Sequence, residues 1–369
     1  MRICHIITRA DEIGGAQVHV RDLCIALKKR GHDITVITGE GGLLVEQLNN
    51  NDIPVIISHN IRREIKFKYD LRAFFSLRKI LKELSPDLLA LHSSKAGILG
   101  RLVAKSLGIP TVFTVHGWSF AEGVKSNKRS LYMRIERLFC RYFSDQLITV
   151  SEQDRELALK NNIAEERIMT TVHNGICPPK YPSCYRDFSK ETFKLVMVAR
   201  FSEQKDHFTL LQALSKLSSS NWEIDLVGKG KLVEFYKSLA IDLGISEKVN
   251  FLGQRDDVEE LLSKSDIFLL ISNWEGYPIS ILEAMSYGLP VVASDVGGVR
   301  ESVTHGYNGC LIPRGDVEYL KNAIDDLLHD KETLKAMSSN NLNDYLEKHT
   351  IKAMTEKTLK VYDLCLSKS

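Results

Sequence analysis

Residues 273–298 read Asn-Trp-Glu-Gly-Tyr-Pro-Ile-Ser-Ile-Leu-Glu-Ala-Met-Ser-Tyr-Gly-Leu-Pro-Val-Val-Ala-Ser-Asp-Val-Gly-Gly, and they place Glu275 and Glu283 eight positions apart. A glycine-proline turn at 276–278 follows the first glutamate, and an apolar helical run carries the second. Proline is tolerated in a first helical turn because its missing N–H has no partner to lose there, so Pro278 reads as a helix start signal. The amides of Ile279 and Ser280 then project from the helix N-terminus with the positive end of its dipole, roughly half an elementary charge. Such a terminus accepts an anion. One turn further in, Glu283 is placed to accept hydrogen bonds from paired hydroxyls, while Glu275 stands in the preceding loop. A phosphate beside a polyol describes a sugar nucleotide.

A second cluster lies in Val198-Ala199-Arg200-Phe201-Ser202-Glu203-Gln204-Lys205-Asp206, where Arg200 and Lys205 flank a strand-to-helix turn. The planar guanidinium suits bidentate contact with phosphate and the ammonium acts as a point charge. A surface ion pair of Lys205 or Arg200 with Glu203 or Asp206 is the plainer alternative. Gly228-Lys229-Gly230 and Gly253-Gln254-Arg255 repeat a strand-then-glycine pattern suited to a base lying against backbone, and Gly297-Gly298 adds a glycine pair at a helix start. Earlier in the chain, Gly14-Gly15 opens a helix after the first strand, without the Gly-x-Gly-x-x-Gly dinucleotide fingerprint. His116 ends the fifth strand in Thr-Val-His-Gly-Trp, and Leu91-His92-Ser93-Ser94-Lys95 is a weaker polar cluster after the fourth.

The elements that must hold these residues are short β-branched runs alternating with helical patterns, which marks parallel α/β units. Strands are expected at 3–7, 33–38, 54–57, 88–92, 111–115, 146–150 and 168–172, then at 193–199, 222–227, 249–251, 267–271, 291–293 and 309–312. Helices are clearest at 16–30 and 70–84, and a last helical pattern spans about 350–366. The turn-rich stretch around Asn174-Gly175 and Pro178-Pro179 separates two series. The expected organisation is a doubly wound domain over 1–175, a hinge over 176–190, a second doubly wound domain over 191–349, and a helix at 350–369 that crosses back to the first. In such sheets ligands sit beyond the carboxyl ends of the strands, where each of these motifs falls.

The chain of 369 residues is 44% apolar and 26% charged, the profile of a soluble globular protein of two domains. It has no apolar run long enough for a membrane span and its start lacks the features of a secretory signal, so a cytoplasmic location is expected. Seven cysteines, an odd number without Cys-x-x-Cys, read as reduced and mostly buried. The eleven histidines are dispersed along the chain, with no metal-ligand spacing visible. Charge is uneven: residues 1–180 carry 27 Lys and Arg against 19 Asp and Glu, and the remainder 22 against 28. The basic concentrations at 62–82 and 125–141 suit solvated helix faces or an anionic membrane surface, so peripheral contact with the inner face of the plasma membrane is a further expectation.

Taken together, these residues resemble the retaining GT-B glycosyltransferases, the large family that includes sucrose synthase and many bacterial polysaccharide mannosyl-, glucosyl- and N-acetylhexosaminyl-transferases. The resemblance runs from Gly14-Gly15 through His116, Ser151-Glu152, His173-Asn174-Gly175, Arg200 and Lys205 to the Glu275–Glu283 box. It implies a GT-B fold, two Rossmann-like parallel-sheet domains facing a central cleft that closes at the hinge. It also implies transfer of a hexose or N-acetylhexosamine from a nucleoside-diphosphate sugar, UDP-linked by family frequency, to a glycan acceptor, often lipid-linked, in bacterial surface polysaccharide synthesis.

In the resembling proteins the positions of Arg200 and Lys205 bind the donor diphosphate, Glu283 the ribose hydroxyls, and Ile279 and Ser280 phosphate or sugar. Glu275 and His116 lie by the donor sugar, and Gly14-Gly15 approaches the diphosphate. No metal or other cofactor is implied, since arginine, lysine and the helix terminus neutralise the leaving group. One departure is Ala199, where glycine often precedes the arginine. A soluble-acceptor synthase, a sugar-nucleotide 2-epimerase and a catalytically silent nucleotide-sugar-binding subunit are the competing readings.

Overall fold

The structure, a computed structural model, describes residues 1–62, 67–121, 126–181, 186 and 188–368. Part of the expected hinge (182–185 and 187) and part of both basic stretches (63–66 and 125) lie outside the described residues. The chain divides into two compact units, Met1–Ile176 with Ile351–Ser369, and Cys177–Thr350.

The first unit alternates β1 (Arg2–Ile7), α1 (Gly15–Lys29), β2 (Asp33–Thr38), α2 (Leu43–Asn49), β3 (Val55–Ile57), α3 (Phe67–Leu84), β4 (Leu88–His92), α4 (Ser94–Leu107), β5 (Thr111–Val115), α5 (Ser126–Phe143), β6 (Gln146–Thr149), α6 (Glu152–Lys160) and β7 (Met169–Thr171). The seven strands pair in parallel in the order β3-β2-β1-β4-β5-β6-β7. Every residue of β4, β5 and β6 is buried, as expected of parallel strands covered by helices on both faces.

The second unit runs β8 (Phe193–Val198), α7 (His207–Leu214), β9 (Trp222–Val227), α8 (Val233–Asp242), β10 (Val249–Gly253), α9 (Val258–Lys264), β11 (Ile267–Leu270), α10 (Ile279–Ser286), β12 (Val291–Ser294), β13 (Gly309–Ile312), α11 (Val317–His329) and α12 (Lys331–Lys348). Its six strands are parallel in the order β10-β9-β8-β11-β12-β13. Helix starts are set by local chemistry: Asp206 and Asp316 accept the backbone N–H groups of Thr209 and Tyr319 at 3.1 and 2.9 Å.

The last helix, α13 (Ile351–Leu366), belongs to the first unit. The Ile351 N–H donates to the carbonyl of Ile176 at 2.7 Å, and Met354, Val361, Tyr362 and Cys365 join the core formed by β1 and α1. Of the described cysteines, Cys4, Cys24, Cys140 and Cys365 are buried, Cys310 is half-buried and Cys177 is exposed, and none of them forms a disulfide.

All thirteen strands stand within two residues of the expected positions. Each sheet reverses its strand order once, between β1 and β4 in the first and between β8 and β11 in the second. The loops leaving those four strands therefore diverge, and their diverging backbones leave room for a ligand.

Candidate active site

In the second unit, the reversal point brings together residues 70 positions apart. The chain leaves β8 through Ala199 and exposed Arg200. It then folds back along the loop that leaves β11: the Asp206 N–H donates to Ile271 O at 2.9 Å, the Asn273 N–H to Gln204 O at 2.8 Å, and the Gln204 side chain to Trp274 O at 2.9 Å. Lys205 and Ser272 form an antiparallel bridge, and the Ser272 N–H is held by Ser294 Oγ at 2.9 Å. His207 stacks on Phe201, ring centres 4.2 Å apart, and its Nδ1 lies 2.9 Å from Lys205 O. Burial lowers the His207 pKa to about 4, so the ring is neutral at pH 7.

The product of this zipper is an ion pair between Lys205 and Glu275, whose side chains are only 14% and 7% exposed. Neither Glu203 nor Asp206 takes Lys205; Asp206 instead caps α7. The loop carrying Glu275 is held from the other side by the Gly297-Gly298 turn. The Gly298 N–H donates to Gly276 O at 2.8 Å. Gly297 has φ +60°, and a Cβ there would sit 2.0 Å from the carbonyl oxygen of Glu275. Only glycine satisfies both the left-handed backbone and the close approach.

Helix α10 starts where the proline signals it: Pro278 is the N-cap, with ψ 118°, and Ile279 the first helical residue. The extended cap conformation lets Pro278 O accept the Ile281 N–H at 3.2 Å. The N–H groups of Ile279 and Ser280 have no acceptor among the described residues. Glu283 is half-buried, one turn into the same helix.

Two of the strand-then-glycine motifs divide. Gly228, with φ +147°, is packed against the chain itself, since a Cβ there would lie 2.0 Å from Ala199 O; its N–H donates to Gly253 O at 2.8 Å. This glycine lets β9 approach the exit of β8 that carries Arg200. Gly253 faces open space. The Arg255 guanidinium is paired with Asp257 through two hydrogen bonds of 2.7 and 2.5 Å.

In the first unit, Gly14 is the N-cap of α1, and its N–H is taken by Gln17 Oε1 at 3.2 Å, while Gly15 opens the helix. Arg9, just past β1, pairs with Asp11 and Glu12, and its guanidinium holds the Asp11 carboxyl down to about 2. Ser93, at the β4–α4 turn, has φ +77°, a strained backbone for serine, and its hydroxyl lies 2.8 Å from that of Thr8.

His116 is one end of a file of imidazoles. Its Nε2 is 3.1 Å from His92 Nδ1, and His92 Nε2 is 3.1 Å from His5 Nδ1. His19 stands edge-on to His116, ring centres 4.7 Å apart, with Nδ1 2.9 Å from Asn174 Oδ1. Burial pushes all four below the usual imidazole range: His5 to about 3, His19 to about 4, His92 and His116 well down, with proximity to His19 adding to the shift at His5, His92 and His116. One ring nitrogen each from His19, His92 and His116 lies within 4.8 Å of the others, a spacing that fits a metal ion.

The dispersal of histidines along the sequence hid this cluster. The signal was present in the register: Ile7 stands beside His92, and His92 beside Thr114, so positions in and just past β1, β4 and β5 are neighbours in space.

Two doubly wound parallel units on one chain are the architecture of the GT-B glycosyltransferases, and the known proteins that this chain resembles belong to the same class. Residues 13–178 match Glycosyltransferase Family 4 and residues 186–344 match Glycosyl transferases group 1. The chain belongs to this family of glycosyltransferases. It is 30% identical, over 91% of its length and 90% of the relative's, to the UDP-Gal:alpha-D-GlcNAc-diphosphoundecaprenol alpha-1,3-galactosyltransferase of Escherichia coli. It is 27% identical, over 92% and 93%, to the N,N'-diacetylbacillosaminyl-diphospho-undecaprenol alpha-1,3-N-acetylgalactosaminyltransferase of Campylobacter jejuni. Among solved structures, Anabaena HepE in complex with UDP and glucose superposes with a TM-score of 0.84 at 22% identity, over 98% of this chain and 99% of that one. No helix among the described residues is long and apolar enough to cross a membrane.

Proposed function

We propose that this glycosyltransferase moves a hexose or N-acetylhexosamine from a UDP-sugar to a lipid-linked glycan acceptor, with retention at the anomeric carbon and without a divalent metal. The observation that carries the reading is the enclosed Lys205–Glu275 pair in the same unit as exposed Arg200 and the unpaired amides of Ile279 and Ser280.

As the bond from the anomeric carbon to the diphosphate oxygen breaks, charge gathers on the diphosphate. Arg200, Lys205 and the two amides stabilise that charge, which is the role a metal plays elsewhere. Glu283 takes the ribose hydroxyls. Glu275 is paired with Lys205, and its work is to fix the ammonium and accept a hydroxyl of the donor sugar. The family resemblance gives His116 a role at the donor sugar and Gly14 and Gly15 a role at the diphosphate, and in the second unit Gly253 and Arg255 flank the base. Two relatives are named for transfers to diphosphoundecaprenol-linked sugars with alpha linkages, which supports both the acceptor class and retention from an α-linked donor.

A lipid-linked acceptor brings the enzyme to a membrane, and α3 and α5 offer contact: Leu71, Phe75, Leu131, Leu138 and Tyr142 are exposed among basic residues. Sedimentation with anionic vesicles at low salt, lost at high salt, is the expected result, and no sedimentation at low salt removes the membrane contact from the reading.

The deciding experiment screens nucleotide sugars for hydrolysis and for transfer to a diphosphoundecaprenol-linked acceptor in the presence of a chelator. One UDP-sugar should be consumed with release of UDP, and Arg200→Ala or Lys205→Ala should cut turnover by about two orders of magnitude or more. Wild-type turnover in the double alanine variant refutes the assignment of these residues.

A further inference from the structure

We propose that His19, His92 and His116 form a three-imidazole site for a transition-metal ion of the zinc type, and that the bound ion takes His116 out of service. The second half rests on the role given to His116 above; the first half does not.

Three imidazoles without carboxylate or thiolate suit zinc and its neighbours in the first transition row. A four-coordinate ion with bonds of about 2.0–2.1 Å holds its nitrogen ligands about 3.4 Å apart. His92 Nδ1 and His116 Nε2 are 3.1 Å apart, and one nitrogen from each of the three rings lies within 4.8 Å of the others, so small side-chain shifts close the site.

The outer nitrogens already have the partners that metal-bound histidines use. His19 Nδ1–H donates to Asn174 Oδ1, leaving Nε2, which is buried without a partner, as the free lone pair. His92 Nε2–H donates to His5 Nδ1, leaving Nδ1 for the ion. His116 is the half-buried member and Gly117 beside it is exposed, which gives an ion an entry path and leaves a fourth position for water. Without an ion, this arrangement of protons is unfavourable. It leaves the proton of His5 on Nε2, a buried atom with no acceptor, whereas the opposite polarity leaves only a bare lone pair there. Metal binding therefore reverses the tautomers of His5 and His92.

The test uses the full-length protein stripped with a chelator and needs no sugar substrate. Co²⁺ titration should give the visible absorption of a four-coordinate ion at one equivalent, displaced by Zn²⁺, with the His5 and His92 ring ¹⁵N signals exchanging tautomer on Zn²⁺ addition. His19→Gln should abolish the spectrum; Asn174→Ala, which keeps all three ligands, should weaken binding 10- to 100-fold. Circular dichroism checks both variants, and if His19→Gln does not fold, Asn174→Ala decides. No uptake of Co²⁺ at millimolar concentration, or uptake unchanged in the folded variants, overturns the site. Stoichiometric Zn²⁺ should also suppress UDP-sugar turnover, reversibly by chelator. Full turnover with the ion bound overturns only the consequence for His116.

Discussion

Gly297→Ala separates positioning from stability in the second unit. Two costs follow from the geometry. Alanine at φ +60° pays about 1–2 kcal/mol for the left-handed backbone. Its Cβ also meets Glu275 O at 2.0 Å, where real contacts are essentially never below 3.0 Å. The backbone of residue 275 must then retreat by roughly 1 Å, a displacement that costs about 10²-fold when it moves a group aligned on the reacting bond. Gly306→Ala supplies the control: φ is +77°, and nothing lies within 4 Å of the added methyl. It carries the same conformational penalty with no push on any neighbour. Both variants should lose comparable stability in urea, while kcat/KM for UDP-sugar turnover falls about a hundredfold in Gly297→Ala and stays near wild type in Gly306→Ala. Equal turnover in the two would falsify the view that Gly297 sets the place of Glu275.

Lys205→Ala and Glu275→Ala should be strongly non-additive: with the partner already gone, the second substitution removes little more, and a cycle in kcat/KM should return a coupling of at least about 1 kcal/mol. Additive losses would mean that the two side chains act separately. Because the pair is enclosed, either single variant should also lower the unfolding midpoint, and the double variant should recover part of it. Acid should destabilise the first unit before its carboxylates protonate. His5 and His19 have folded pKa values pushed down to about 3 and about 4, below the unfolded value near 6.5, so their neutral burial stabilises the fold above pH 6.5 and is lost as pH falls towards 4. Each should contribute a slope of about 1.4 kcal/mol per pH unit in that window, and His19→Gln should flatten the urea-derived profile; a flat wild-type profile would contradict neutral burial. Arg255→Ala should weaken UDP binding only a few-fold by calorimetry, because its guanidinium is already paired with Asp257; a loss as large as that of Arg200→Ala would place it on the diphosphate.

Strand positions were legible because a parallel strand buried on both faces is a short apolar run, and 88–92, 267–270 and 291–294 are such runs with polar or glycine-rich ends. The start of α10 was legible in Pro278, although proline serves equally at the N-cap and at the first helical position and only the backbone of Pro278 tells them apart. The partner of Lys205 was not legible at all. Sequence offers Glu203 and Asp206 as neighbours, but the zipper of hydrogen bonds between the β8 and β11 loops carries the ammonium to Glu275 instead. The glycines were legible as exceptions without their reason: Gly228 and Gly297 are fixed by carbonyl oxygens of this chain, at Ala199 and Glu275, in places where a ligand was the natural guess.

The same topological event explains what each unit gathers. Where strand order reverses, the loops from two adjacent strands run to opposite sides, so neither covers the strand ends and side chains there are exposed to a ligand yet fixed by the sheet. At the second reversal the gathered groups are cationic and acidic, and Lys205 and Glu275 neutralise one another. At the first, His5 and His92 lie on the two strands that diverge, and His116 follows the next strand over. Four imidazoles there remain neutral because burial outweighs any gain from charging them, so the cluster can pass or share protons and lone pairs without carrying net charge. A single carboxylate added among them would reverse that balance by stabilising imidazolium. The described neighbours supply an amide, Asn174, and hydroxyls, Thr8 and Ser93, at this end of the sheet, while the carboxylates of Asp11 and Glu12 are held by Arg9.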